Sequence, residues 1–279
     1  MELKFKDEGH SYTSIADPSK KWTSVTTLYQ LFKEPFNQEE VALACSEKKK
    51  SKWFGLTPAE IIALWDNESE RGNTLGTWYH NQREDEVASC ETIQRNGIDL
   101  PIYRPMEQDG YRISPDQSIG PGIYPEHFVY LKSAGICGQA DRVEVVGDEV
   151  HVYDYKTNKK IDTQSFVHWK TGSKKMYSPI GHLDDCSLIH FALQLSIYMY
   201  IILKHNHNLK PGKLILHHIT FEVESVDEYD FPTYATDLDG NPIVKEVIPY
   251  EVPYLKKEVM AILRHIQTNP KILDNDKTV

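Results

Sequence analysis

Cysteine is scarce in this sequence, and its four cysteines form no C-x-x-C pair. Cys45, Cys90, Cys137 and Cys186 are widely separated along the 279 residues. Zinc ribbons need closely spaced cysteines, and disulfide frameworks are typical of small secreted domains. The spacing therefore excludes both, and we expect four reduced, partly buried thiols.

Long apolar runs are also missing. No stretch approaches the about 18 apolar residues that a membrane span requires. The first residues, Met1–Asp7, lack the apolar segment of a signal peptide. We expect a cytosolic protein with no membrane partner.

Positive charge is in deficit, because 31 lysines and arginines face 41 aspartates and glutamates, for a net charge of −10. Such a chain should repel nucleic acid unless it carries a local basic patch. Two runs could form one. The first is Lys48–Lys52, and the second, which follows a predicted hairpin, consists of Lys156, Lys159, Lys160, Lys170, Lys174 and Lys175. A charge run is more often an ordinary solvated face, and the second run is the better placed of the two because it directly follows the hairpin.

The composition supports a folded core, since 40% of the residues are hydrophobic and 11% are aromatic. The length suits one large domain or two small ones. We find neither an internal repeat nor a convincing linker, so one domain over residues 1–279 is favoured.

The segment Gly138–Lys156 predicts two short strands joined by a tight turn. Residues Gln139–Val146 and Glu149–Lys156 alternate in polarity, and Gly147-Asp148 is a two-residue hairpin signal. This loop length pairs Val146 with Glu149, which fixes the register of every other pair.

The register predicts that Val145 faces Val150 and Val143 faces Val152. It also predicts that Asp141 faces Asp154, with Lys156 on the same side of the sheet. Opposed like charges destabilise a strand pair unless they are neutralised. A divalent cation and Lys156 would neutralise them, although a solvent-exposed strand end with ordinary charges is the simpler interpretation.

Other segments predict helices and strands around this hairpin. Ser24 or Thr23 could cap a first helix, and the pattern then predicts helices over Asn37–Lys50, Thr57–Asp66, Ser69–Gln94, His190–His205 and Tyr254–Gln267. Thr57, Pro58 and Glu60 form a helix-start signature. Residues 96–125 predict an irregular excursion, Glu126 begins a strand, and Lys213–Val223 predicts a central strand.

Five further polar side chains are candidates for a site. His80 and Glu84 are one helical turn apart on one face. Gln194 and Tyr198 share a face of a strongly apolar helix, where an unpaired amide would be costly. Glu126 lies ahead of Asp141 and could reach the same end of the sheet. For each of these residues a purely structural role is the alternative.

The convergence of Asp141, Asp154 and Lys156 is typical of metal-assisted attack of water on a phosphodiester. Mg²⁺ prefers oxygen ligands and needs only one or two protein carboxylates beside substrate phosphate. Lys156 can orient the water and add positive charge, and the carbonyl of Tyr155 is a plausible further ligand.

Four motifs occur together in order: G-x-x-x-H at Gly76–His80, G-x-x-D at Gly138–Asp141, D-Y-K at Asp154–Lys156 and Q-x-x-x-Y at Gln194–Tyr198. With them the chain resembles the RecB-like branch of the PD-(D/E)xK nucleases over roughly Arg71–Tyr200. The pentapeptide S-V-T-T-L is also similar to phage-encoded exonucleases of this group.

The resemblance implies an α/β fold, in which a central mixed sheet flanked by helices forms a restriction-endonuclease-like core. It would divide the chain into an N-terminal ribbon and helices (1–70), a catalytic core (71–225) and a C-terminal hairpin and helix (226–279). It further implies a bacterial or phage-infected host cytosol, DNA as partner, and a recombination partner protein or a second copy of the chain as further partners.

The resemblance also implies roles for individual residues. One or two Mg²⁺ or Mn²⁺ ions would be held by His80, Asp141, Asp154 and the Tyr155 carbonyl. Lys156 would be the catalytic lysine, and Glu126 matches an acidic residue on the preceding strand. Substrate contact or positioning would fall to Gln194 and Tyr198. Apart from the resemblance, Arg71 near the start of its predicted helix and Lys159 and Lys160 of the second basic run are expected to contact the substrate.

Some relatives bind an iron–sulfur cluster through a late C-x-x-C group. This chain lacks that group, so no cluster is expected. An exonuclease acting in recombination, repair or phage DNA processing is the favoured function. The same site would serve an endonuclease, and a silent nucleic-acid-binding module is the rival from another class, although the intact D…D-x-K set argues against it.

Overall fold

The computed structural model describes residues 3–6, 11–113, 117–168 and 172–273. Its helices are α1 (Val25–Gln30), α2 (Gln38–Glu47), α3 (Pro58–Ala88), α4 (Ser187–His205) and α5 (Lys256–Thr268). Its strands are β1 (Leu3–Lys6), β2 (Ser11–Ser14), β3 (Thr23–Ser24), β4 (Thr92–Arg95), β5 (Ile98–Pro101), β6 (Met106–Gln108), β7 (Tyr111–Ile113), β8 (Gly122–Leu131), β9 (Ile136–Val146), β10 (Glu149–Lys156), β11 (Val167–His168), β12 (Gly172–Ser173), β13 (Lys210–Phe221), β14 (Val223–Val226), β15 (Pro232–Tyr234) and β16 (Val244–Val252).

A six-stranded mixed sheet organises the fold. Strands β8, β9 and β10 are antiparallel neighbours, β13 lies parallel to β10, and β16 is antiparallel to β13. The short strand β3 pairs in parallel with the start of β9. The parallel pair requires a long crossover, which contains α4. The sheet and its helices confirm the predicted mixed α/β architecture.

The hairpin of β9 and β10 has the predicted register. Val145 pairs with Val150 and Val143 with Val152, around a turn in which Gly147 has a φ of +63°. The regular pairs end at Arg142 and Tyr153. The predicted opposition of Asp141 and Asp154 is therefore not part of the ladder.

The reason is a shift in alternation at Asp141. Ala140 and Val143 both lie in the main core although they are three residues apart, so one strand cannot alternate regularly between them. In a continuous ladder, Tyr155 would be hydrogen-bonded to Ala140. Instead the Tyr155 N–H donates to Asp141 Oδ2 at 2.6 Å.

Helix α4 packs on the sheet and is the centre of the core. Leu193, Ile197 and Ile201 are buried in one cluster with the valines of the hairpin. Among the described helices, α4 alone is long and apolar enough to cross a membrane, which corrects the expectation from the sequence. Because 56% of its most apolar stretch is buried inside the fold, it is better explained as a core helix.

Helix α3 is one continuous helix of 31 residues where the sequence predicted two. Its start is as predicted, with Thr57 as N-cap, Pro58 in the first turn and a capping box to Glu60. No proline follows until residue 101, so nothing breaks the helix at residue 66, and it crosses the boundary expected at residue 70. It ends at Ala88 instead of Gln94, because Asn96-Gly97 turns the chain into the hairpin of β4 and β5.

The expected irregular excursion contains strands. Residues 96–125 include β5, β6, β7 and the first residues of β8, which begins at Gly122 rather than at Glu126. Strands β6 and β7 join β1 and β2 in a second sheet of four strands. The rings of Phe5 and Tyr12 pack against Phe128 of β8, with centroids 5.6 and 6.0 Å apart. This contact places β7 beside the end of the main sheet at which the regular pairing of β9 with β10 stops.

Candidate metal centre and nucleic-acid groove

Three side chains gather at the end of the main sheet. His80 of α3, Glu126 of β8 and Asp141 of β9 each offer a ligand atom, and these atoms lie within 4.8 Å of one another. One imidazole and two carboxylates form a donor set that suits a divalent cation. Of the metal-binding residues expected from the sequence, His80 and Asp141 are in this set, and Glu126 joins them.

Helix α3 approaches the sheet closely enough to deliver His80. A Cβ atom at Gly76 would meet Thr157 Oγ1 at 3.2 Å, so a glycine fits this close contact. One turn later, His80 Nε2 lies 3.1 Å from the Tyr155 carbonyl, and Nδ1 lies 3.5 Å from Asp141 Oδ2. The Tyr155 carbonyl therefore lies next to the ligand atoms of His80 and Asp141.

Glu126 is held in an uncommon backbone conformation. Its φ is +46°, a left-handed value that non-glycine residues adopt rarely and often at functional sites. Gln139 Nε2 donates to Glu126 Oε2 at 2.7 Å. Burial, followed by the charges of Asp141 and Glu84, raises the pKa of Glu126 well above its usual value. A bound cation would offset this cost.

Asp154 and Lys156 form a buried ion pair behind these three residues. Asp154 is 1% exposed and its Oδ2 lies 2.6 Å from Lys156 Nζ. Burial raises the pKa of Asp154 to about 6, although Lys156 lowers it. Burial opposes the charge of Lys156, but Asp154 and Asp141 outweigh it and raise the pKa of Lys156. The two carboxylates therefore hold Lys156 in its charged form, while Lys156 opposes the effect of burial on Asp154.

Gln194 and Tyr198 are buried beneath Asp154 rather than exposed to the groove described below. Gln194 Nε2 donates to Asp154 Oδ1 and to the Tyr198 hydroxyl, each at 3.2 Å. A Cβ atom at Gly138 would come within 2.7 Å of the Tyr198 ring, so the glycine makes room for the tyrosine. Three motifs that are distant in sequence thus hold one carboxylate in place.

Arg71 and Lys159 link the hairpin of β14 and β15 to α3 through polar contacts. Both are ion-paired with Glu68, at 2.9 and 2.7 Å. Arg71 Nη2 also donates to the Pro232 carbonyl at 2.7 Å, and Lys159 Nζ lies 4.7 Å from the Phe231 ring centroid. Lys160 is exposed and paired with Asp162 at 2.8 Å. None of these three cations is without a carboxylate.

The other lysines of the predicted patch are also paired where the structure describes them. Lys174 contacts Asp185 at 3.2 Å and Glu34 at 3.4 Å, and Lys175 contacts Asp184 at 2.7 Å. Lys170 lies outside the described residues. A substrate phosphate would have to replace these carboxylates as the partner of each lysine.

A groove of about 1690 Å³ runs along α3 and opens onto the metal-ligand set. This volume exceeds the roughly 300–1,000 Å³ of small-molecule pockets. Its walls include His80, Glu126 and Lys156, together with Arg71, Lys159 and the two residues that sequence reasoning missed, Arg112 and Gln139. Arg112 was missed because β7 lies within the supposed excursion. Gln139 could have been found only as a neighbour of the G-x-x-D motif.

The arrangement brings together metal ligands, an adjacent lysine and an elongated groove, the combination that phosphodiester hydrolysis requires. Neither the comparison with curated proteins nor that with solved structures gives a significant match. A family model described as the PD-(D/E)XK nuclease superfamily matches residues 56–269. Its members are nucleases that use divalent metals, and the mixed sheet flanked by helices is the restriction-endonuclease-like fold of that family. The match covers most of the chain, and the chain therefore belongs to the PD-(D/E)XK nuclease superfamily.

Proposed function

We propose that this nuclease hydrolyses DNA with Mg²⁺ or Mn²⁺ and acts as an exonuclease. The observation that carries the metal-dependent chemistry is the meeting of His80, Glu126 and Asp141 within 4.8 Å, next to the Asp154–Lys156 ion pair. Carboxylate and carbonyl oxygens suit Mg²⁺ or Mn²⁺, and the imidazole suits Mn²⁺ better than Mg²⁺.

The donors present fit one such ion. His80, Glu126, Asp141 and the Tyr155 carbonyl would hold it, and Asp154 would complete the acidic set. When bound, the ion lowers the pKa of a bound water and neutralises charge on the phosphate. Lys156 contributes an ammonium that orients the attacking water and stabilises the nonbridging oxygens.

Gln194 and Tyr198 act as positioning residues in this proposal. Their hydrogen bonds fix Asp154 Oδ1, while Lys156 contacts the other oxygen. Arg71, Lys159 and Lys160 would contact phosphates further along the substrate. For Arg71 and Lys159 this proposal is supported by their place in the wall of the groove.

An exonuclease of the RecB-like, phage-type branch is supported by the motifs and by S-V-T-T-L at residues 24–28, where Ser24 caps α1. Such an enzyme would process DNA ends in recombination, repair or phage replication. It would act in the cytosol, with a recombination partner protein or a second copy of the chain. An endonuclease with the same site is the second candidate. The intact ligand set and the charged Lys156 favour either over a silent binding module.

The test is cleavage of end-labelled linear single- and double-stranded DNA beside a covalently closed circle, with Mg²⁺ or Mn²⁺. We expect linear DNA to be shortened from its ends, the circle to persist, and chelation to stop the reaction. Cleavage of the circle would establish the endonuclease. No cleavage of any substrate with either ion would contradict the proposed function.

A further inference from the structure

The side chain of Arg112 lies between two carboxylates at the edge of the metal-ligand set. Its Nη2 atom is 2.9 Å from Glu84 Oε2, and its Nη1 atom is 4.0 Å from Glu126 Oε2. The three side chains are only 15–16% exposed. Arg112 thus contacts a metal-ligand candidate, Glu126, and a largely buried carboxylate outside the set, Glu84. Its Nε atom also lies 4.0 Å from Glu107 of β6, whose side chain is 69% exposed.

The position of Arg112 is set by backbone pairing. Strand β7 pairs with β1, with Phe5 opposite Arg112, and it pairs with β6 on its other side. Phe5 in turn packs against Phe128 of the main sheet. The guanidinium is consequently presented from a strand of the second sheet, and no bound ion is needed to hold it there.

The carboxylates around Arg112 are arranged like the ligands of a second metal ion in a two-metal site. In such sites two divalent ions about 3.5–4 Å apart stabilise the attacking and leaving oxygens of the displacement. Glu126 could bridge two ions, and Glu84 could hold the second. A guanidinium already lies between those two carboxylates, and it cannot lose its proton in a protein.

We propose that Arg112 takes the place of a second metal ion, so that the site holds one divalent cation and one fixed guanidinium. The inference rests on the proposed function, because it assumes that His80, Glu126 and Asp141 bind the first ion. Arg112 supplies positive charge on the Glu84 side of the site at all working pH values. Metal would therefore be required once per chain.

The inference predicts how many Mn²⁺ ions each chain binds. Electron paramagnetic resonance of free Mn²⁺ during a titration gives this number without any substrate. We expect one ion for the full-length wild type and for Arg112→Lys, and two for Arg112→Gln, in which Glu84 and Glu126 lose their cation. The double variant Arg112→Gln/Glu84→Gln should return to one.

Arg95→Gln is the matched control. Arg95 also forms an ion pair, at 2.8 Å from the buried carboxylate of Glu144, but Glu144 is not part of the ligand set. This variant should bind one ion, as the wild type does, and circular dichroism checks that each variant is folded.

The outcomes separate the inference from the function on which it rests. Two ions bound by wild type would overturn the role of Arg112 and leave a metal-dependent nuclease. If Arg112→Gln binds one ion with unchanged affinity, the role of Arg112 is only structural, as a link between β7 and α3. No ion bound by wild type would overturn the metal site itself. If Arg112→Gln does not fold, Arg112→Met takes its place as the neutral variant with the same expected count of two ions, and a wild-type count of two still overturns the inference.

Discussion

Asp141 has two tasks at the active end of the sheet. Its carboxylate accepts the Tyr155 N–H, which ends the regular pairing of β9 with β10, and it contributes a ligand atom beside His80. Its negative charge also raises the pKa values of Glu126 and Asp154, each after the larger effect of burial. The metal-free protein thus carries a local electrostatic cost that a cation would relieve.

Replacing Asp141 by Asn should therefore stabilise the metal-free protein at pH 8 while removing activity. An asparagine oxygen can still accept the Tyr155 N–H, but the charge is gone. A carboxyl with a raised folded-state pKa stabilises the fold fully below its unfolded value and loses that contribution as pH rises through the folded value. For Asp154 this window runs from 3.8 to about 6, so the advantage of the variant should shrink as pH falls towards 4.

Thermal melts of both proteins at pH 8 and pH 4.5, with and without Mg²⁺, measure this effect. Asp148→Asn, at the exposed opposite end of the same hairpin, should give no stabilisation. Mg²⁺ should raise the melting temperature of wild type more than that of Asp141→Asn, because it binds the folded state. A metal-free Asp141→Asn protein that melts at or below wild type at pH 8 would refute the electrostatic cost.

Among the secondary-structure elements, those fixed by local rules were predictable. A two-residue loop fixes the pairing of Val143 with Val152, and the Thr57 and Glu60 side chains fix the start of α3. The shift of alternation at Asp141 was not predictable, because it depends on the Tyr155 N–H and on the left-handed Glu126 in the next strand. The place of Arg112 was also not predictable, because β7 is held in position by β1, a strand near the start of the chain.

The contact of β9 with α4 can be tested through Gly138. A methyl group there would lie 2.7 Å from the Tyr198 ring and 3.1 Å from Val25 Cγ2. Gly138→Ala should lower the free energy of unfolding by about 1–3 kcal/mol, as overpacking does. It should also reduce cleavage, because Tyr198 and Gln194 position Asp154.

Gly72→Ala is the matched control for stability. Gly72 lies in the interior of α3, and its added Cβ would meet nothing within 4 Å. Alanine there should raise the free energy of unfolding by up to about 1 kcal/mol. If denaturant unfolding shows Gly138→Ala to be as stable as wild type, the close contact with Tyr198 is not a constraint on the site.

For the molecule as a whole, a net charge of −10 must be reconciled with a polyanionic substrate. Beyond Lys156, the described lysines of the predicted patch are Lys159, Lys160, Lys174 and Lys175, and each already contacts a carboxylate. Local pairing of this kind lowers the attraction that the lysines exert at a distance. DNA binding should consequently be weak at high salt and depend on phosphates displacing these carboxylates.

Replacing all four lysines by Gln should flatten the dependence of log affinity on log salt concentration. Each lost phosphate contact reduces the slope by about 0.9 for duplex DNA and about 0.7 for single strands. Fluorescence anisotropy with labelled DNA and Ca²⁺ in place of Mg²⁺ measures the slope. The triple variant Lys48→Gln/Lys49→Gln/Lys50→Gln is the control. If the slope is unchanged in the quadruple variant and flatter in the triple variant, the DNA lies on the Lys48–Lys52 run instead.

The central claim is that Asp154 and Lys156 serve phosphodiester hydrolysis at the end of the sheet. Single-turnover cleavage of end-labelled linear DNA with saturating Mg²⁺ or Mn²⁺ tests it most directly. Asp154→Asn and Lys156→Ala should each lose at least about 100-fold in rate, the scale of removing one electrostatic stabiliser of a transition state. Asp148→Asn and Lys210→Ala, which alter the ion pair at the opposite end of β10, should cleave at the wild-type rate. An Asp154→Asn protein that cleaves as fast as wild type would contradict the account.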